Sequence, residues 1–191
     1  MINCRFFYSI LIILIFSVKQ YSQQNRRVIN TAVPFLLISS DARASGLGDQ
    51  GVSTSSDNFS QNWNQSKYIF SDSNSGIGFS YTPYLSSVVS DVFLGNLTYF
   101  KKRSERSVWS FSLKYFSLGD IDILENPLDI PVVESPNEFT IDAGYGLKLS
   151  DNFSMGITGR FLLSDVKLKS FSGETEVATT FAVDISGFYQ S

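Results

Sequence analysis

An all-β chain, built as the N-terminal portion of an antiparallel up-and-down transmembrane β-barrel, is the architecture this sequence predicts, and three observations predict it. The first is period-2 alternation. From Phe139 the residues at steps of two are Phe139, Ile141, Ala143, Tyr145, Leu147 and Leu149, with Glu138, Thr140, Asp142, Gly144, Gly146 and Lys148 between them. That pattern gives a strand one apolar and one polar face. It restarts after Ser150-Asp151-Asn152, residues suited to a tight reversal, as Phe153, Met155, Ile157, Gly159, Phe161 and Leu163 against Ser154, Gly156, Thr158 and Arg160. The second is length: both strands run to about twice the ~5–6 residues usual in soluble sheets. They match the ~9–11 tilted residues that cross a bilayer in a barrel. The third is the order of the connections. Lys102–Ser107 and Ser150–Asn152 are short, whereas Phe116–Pro136 and Asp165–Thr175 are long. Short turns on one side of the membrane and long loops on the other are what an up-and-down barrel requires.

Composition agrees. The 191 residues are 43% hydrophobic with a mean hydropathy of +0.03, too polar for a helical membrane protein and natural for strands with a polar lumen. Phe 17 and Tyr 9 suit strands and aromatic girdles. A net charge of -3 and the lack of any basic motif argue against nucleic-acid binding.

Taken in order, Met1–Ser22 reads as a signal peptide: Arg5 before an apolar run from Phe6 to Val18, then Gln20-Tyr21-Ser22 as an imperfect cleavage site. The run is short of the ~20 residues of a membrane-anchoring helix. Cys4 precedes it and so is not a lipidation site. Residues 23–75 read as a plug or periplasmic lead-in, since Pro34, glycines and Asn/Gln-rich stretches make a poor span. Within it Gly46, Gly48 and Gly51 suit close backbone approach or positive φ. They nearly spell a dinucleotide fingerprint, but the third glycine is missing and no βαβ unit follows.

Residues 76–191 read as the first roughly six strands. Gly76–Tyr84 alternates, with Pro83 at its end where proline is tolerated. Asp91–Lys101 has apolar residues on both faces, Phe93, Leu97 and Tyr99 against Val92, Leu94 and Phe100, so its orientation is ambiguous. Val108–Leu118 is clean, Trp109, Phe111, Leu113 and Tyr115 opposing Ser110, Ser112 and Lys114. The hairpin of residues 137–164 follows, and Glu176–Tyr189 is last.

The chain has no histidine, and Cys4 is the only cysteine, which excludes Ser-His-Asp and Cys-His catalysis and Cys/His zinc sites within it. No catalytic residue, metal or cofactor is expected. Asp142, Arg160 and Asp184 fall mid-strand on the polar face and are expected in a lumenal polar network, with Arg43 pairing one of the lumenal acids to pin the plug. Lys148 and Glu138, nearer strand ends, read as solvated charges. Tyr84, Tyr99, Trp109, Tyr115, Phe139, Phe153 and Tyr189 lie towards strand ends and suit interfacial girdles. Gly119–Asn137, with Pro127, Pro131 and Pro136, reads as an exposed acidic loop. Leu147→Arg is expected to cost about 2–4 kcal/mol if that position meets mid-bilayer lipid, and Thr158→Arg less.

Several blocks together resemble the PorV (LptO) family of the type IX secretion system of Bacteroidetes. They are Thr31–Ile38, Asp41-Ala42-Arg43-Ala44, Gly46-x-Gly48-Asp49-x-Gly51-Val52, Ser80–Tyr84, Tyr115–Asp120, Pro136–Asp142 and Leu149-Ser150-Asp151. The resemblance implies a FadL-like fourteen-stranded barrel with an N-terminal plug in the bacterial outer membrane. It also implies that cargo with a C-terminal signal domain is received from the translocon and delivered to an attachment complex containing a PorU-like sortase. The loops at 119–137 and 164–176 would meet it. The sequence departs from the family where Trp63-Asn64-Gln65-Ser66 stands for Trp-Asn-Pro-Ala. At about half the family's length, the chain is expected to be a fragment or the product of a split or truncated reading frame. The alternative function is FadL-like transport of hydrophobic small molecules, which the polar lumen-facing positions disfavour.

Overall fold

The structure is a computed structural model that describes residues 33–123, 131–166 and 177–191. The signal peptide expected over 1–22, the start of the 23–75 segment and loop residues 124–130 and 167–176 lie outside the described residues.

The main element is a six-stranded antiparallel sheet. Its strands are β1 (Ser75–Pro83), β2 (Val92–Ser104), β3 (Ser107–Leu118), β6 (Asn137–Lys148), β7 (Phe153–Asp165) and β8 (Ala178–Tyr189), hydrogen-bonded in that order. Each strand pairs with the one before it, as an up-and-down meander does. The sheet is open, with β1 and β8 as its edges. A separate small hairpin joins β4 (Ile121–Ile123) to β5 (Val132–Glu134) between β3 and β6. Sequence alone predicts plain loop over this stretch. Proline and acid content hid two short β-branched runs, Ile121/Ile123 and Val132-Val133.

The sheet is inverted relative to a soluble one. Its apolar face is bare: Phe79 is 72% exposed, Phe181 67% and Ile185 74%. Its polar face is covered from β2 to β7, with Thr98, Ser110, Thr140, Asp142 and Ser154 all buried, and opens at β8. What covers it is the N-terminal segment. This comprises a 3₁₀ turn η1 (Pro34–Leu37), helix α1 (Ala42–Gly46), and the 3₁₀ helices η2 (Ser60–Asn62) and η3 (Gln65–Phe70). Proline opens η1, and the Asp41 carboxylate caps α1 by accepting from the Ala44 N–H at 2.7 Å. Gly48, at φ +74, and Asp49, at φ 61, then reverse the chain.

η3 rests on β6, β7 and β8. A small apolar core lies under it: Tyr68, Ile69, Phe100 and Val108, with Tyr68 and Phe100 stacked at 4.3 Å. That contact resolves β2. Leu94, Asn96, Thr98 and Phe100 turn to the covered face, and Leu97 and Tyr99 to the bare one, because Phe100 supplies the surface on which Tyr68 packs.

Aromatic residues cluster at both ends of the bare face. Tyr81, Phe93 and Tyr115 form a run at the long-loop end, with ring centroids 5.1 and 5.8 Å apart. Trp109 and Tyr145 pair at 4.7 Å towards the short turns. Among the described residues no helix is long and apolar enough to cross a membrane, which says nothing of β-strands.

Candidate functional site

The candidate site is the interface between the N-terminal segment and the polar face of the sheet. Register builds its charged centre. Asp142 stands directly opposite Arg160 on β7 and Ser112 on β3. The Arg160 Nε donates to Asp142 Oδ1 at 3.0 Å, and the Ser112 Oγ donates to Oδ2 at 3.0 Å. Arg160 Nη1 lies 3.4 Å from Asp184 Oδ2 on β8. Three of the four residues expected in the lumenal network are thus linked across three strands, and Ser112 adds a fourth.

Arg43 is not among them. It pairs with Asp57 at 2.8 Å and donates to Ser55, both in its own segment. The expected pin to a lumenal acid is therefore replaced by a bond internal to the segment, because Asp57 is reached first. Among the described residues no ion pair joins segment to sheet. The polar contacts that do join them are hydrogen bonds without a carboxylate. Asn64 Nδ2 donates to the Gly187 carbonyl at 3.0 Å, Ser154 Oγ to that of Ser66 at 2.8 Å, and Thr98 Oγ1 to that of Asn58 at 2.6 Å. Ser80 donates to the Ser40 carbonyl, and the buried Lys114 reaches the Ile38 carbonyl at 3.4 Å.

The three glycines of the segment differ in role. Gly48 supplies the positive φ, and a side chain at Gly51 would collide with the Trp63 ring. Gly46 ends α1 with open space around it. Trp63 in turn donates its Nε1–H to Asp41 Oδ2 at 3.0 Å. The glycine-rich stretch is therefore a knot in which Asp41, Gly51 and Trp63 hold one another, and no βαβ unit surrounds it.

Sequence reasoning missed Lys67, which is fully buried, its Nζ donating to the Gly51 carbonyl at 2.5 Å and to Thr54 Oγ1 at 3.3 Å. It also misjudged Glu138, which is buried and accepts from Ser164 Oγ at 2.7 Å. Burial lowers the Lys67 pKa below its ordinary 10.5, against the pull of Asp57 and with the help of Arg43. Between that depressed value and 10.5 the unfolded chain holds the extra proton, so this group makes stability rise with pH. Burial pushes the adjacent Tyr68 phenol up instead. There the unfolded chain ionises first, so its contribution is intact below 10.0 and is lost as pH climbs above it. Lys67→Met is expected to abolish the alkaline rise and leave the later fall, as read from unfolding midpoints over an alkaline series.

The family model described as "Type IX secretion system protein PorV" matches residues 21–191. The chain belongs to the PorV family. It is thus a type IX secretion system protein. No curated protein matches it.

The PorV assignment gives meaning to the departure at Gln65. Gln65 is the first residue of η3, a position that welcomes proline. Glutamine keeps the helix, its Asn64 cap accepting from the Ser66 N–H at 3.2 Å. It also adds a side chain that fills space left by sheet glycines. A methyl group at Gly144 would lie 2.7 Å from Gln65 Cγ and 2.6 Å from Ser110 Oγ, and one at Gly156 would strike Gln65 Oε1. Gly144→Ala is therefore expected to cost about 1–3 kcal/mol by overpacking. Gly95→Ala, whose nearest neighbour is 3.9 Å away, is expected to be close to neutral. Urea midpoints of the two variants in the same vesicles check this.

Proposed function

We propose that this PorV-family chain forms part of the wall of an outer-membrane β-barrel whose lumen is plugged by residues 33–70. In type IX secretion it receives cargo bearing a C-terminal signal domain and passes it to the attachment complex with its PorU-like sortase. The observation that carries the membrane reading is the inverted sheet, apolar side chains bare and polar ones buried. Strands of 12–13 residues are roughly 40 Å long and, at a 35–45° tilt, rise about 30 Å, enough for an apolar band of about 25 Å. Among the described residues β1 and β8 are the outer strands of the sheet, and a wall in lipid needs both of those edges paired.

The role is binding rather than catalysis: the chain has no histidine, and Ser80, Thr98 and Ser154 on the polar face bond backbone carbonyls of the segment. The described residues 84–91, 119–123 and 131–136 lie at the long-loop end, and that end is the cargo-facing surface. The test is purification of the tagged protein from outer membranes. Co-purification of signal-domain cargo or sortase supports the reading. Bound fatty acid with no protein partner favours the transporter instead.

A further inference from the structure

The described cations of the sheet divide by face. Lys114, Lys148 and Arg160 share the parity of the polar face, and Lys102 donates to the Ser71 carbonyl of the N-terminal segment at 2.5 Å. Lys101 follows Leu97 and Tyr99 at steps of two, so it belongs to the bare apolar face, and it is exposed. Arg103 is the extra residue where the β2–β3 register slips between Lys102 and Ser104. Such a bulge bends a strand and re-aims its side chains. Arg103 is exposed, as is Arg106 in the turn beyond.

Among the described residues none of these three has an acid in ion-pair contact. Lys101 stands opposite Trp109, and Trp109 opposite Tyr145, the aromatic pair on the bare face. The same end also carries Glu105, between Arg103 and Arg106, and Asp151, which pairs with Lys148 at 3.2 Å, so cations outnumber acids there without excluding them. The other end has acids alone. Its described connections, 84–91, 119–123 and 131–136, carry Asp91, Asp120, Asp122 and Glu134 and no Lys or Arg.

We propose that Lys101, opposite Trp109, together with Arg103 and Arg106 at the same strand end, forms a binding site for the phosphate headgroup of an anionic phospholipid in the leaflet that meets the short turns. The inference rests on the barrel reading above. Guanidinium and ammonium groups donate to phosphate oxygens, and indole and phenol rings settle at headgroup depth. Free phosphate would engage the cations but leave the aromatic pair without a role. A lipid engages both, its headgroup at the strand end and its chains along Trp109 and Tyr145.

The test compares the full chain with K101Q/R103Q/R106Q, both isolated from outer membranes in mild detergent. Retention of phosphatidylglycerol and of phosphatidylcholine is measured by native mass spectrometry. The expected result is a preference for phosphatidylglycerol that falls roughly fivefold for each cation removed, and that K101R/R103K/R106K retains. Equal retention of both lipids, or no change in the neutralised variant, overturns the site. Displacement of the lipid by inorganic phosphate shows a plain anion site and overturns it too. A chain missing from the outer-membrane fraction overturns the barrel reading, a separate failure from a chain that is inserted and shows no anionic preference.

Discussion

Ile141→Arg is expected to destabilise the membrane-inserted protein by about 2–4 kcal/mol, the cost of a cation on the lipid face near the bilayer midplane. Ile141 is mid-strand, flanked by Leu113 and Phe161 on the neighbouring strands, and 49% exposed. In a soluble sheet the same change at a half-exposed position would fall within about 0.5 kcal/mol. Urea unfolding from vesicles, set beside the Ile141→Ser variant, separates the two cases. The structure also redirects the experiment that sequence alone suggests. Leu147 pairs with Ser107 and Met155 next to the short turns, so arginine there reaches headgroups at little cost. Thr158 is buried rather than facing open water, so Thr158→Arg would not be mild.

Arg160→Met is expected to cost about 3–5 kcal/mol, because it takes away the ion-pair partner of the buried Asp142 carboxylate and leaves Ser112 as its hydrogen-bond donor. The Asp142 side chain is 2% exposed. Removing both charges, as Asp142→Asn with Arg160→Met, is expected to recover most of that loss, since the penalty belongs to the unpaired charge. Asp184→Asn is expected to stay within about 1 kcal/mol, for the Asp184 carboxylate is 53% exposed and already solvated. A double-mutant cycle on unfolding free energies measures the coupling between the first two. Equal losses in the single and double variants would show that the pair is not what holds Asp142.

These two sites also show how much the residues disclosed by themselves. Parity alone placed Ile141 on the bare face and Asp142 and Arg160 on the covered one. The three-residue turn centred on Asp151 even fixes their register, since a symmetric hairpin about it sets Asp142 opposite Arg160. Asp184 needed the β7–β8 pairing, whose connecting loop offers no such symmetry. Parity said nothing of what covers the polar face. Glu138 therefore read as solvated and proved buried, and Arg43 was assigned a distant acid although Asp57 stood nearer in its own segment. β2 was ambiguous for the same reason: Phe100 is apolar on a polar face because Tyr68 docks there. Segment docking depends on contacts far apart in sequence, Asn64 with Gly187 among them, and no local period encodes those.

The most direct test is depth-resolved fluorescence quenching of single labels at Leu113 and Phe161 on the bare face and at Asp184 on the other. The labelled protein is held in outer-membrane vesicles. Quenching of the first two by lipid-borne quenchers alone, with Asp184 answering to the aqueous quencher, is the predicted result. Aqueous quenching at Leu113 and Phe161, in protein recovered outside the membrane fraction, would contradict it.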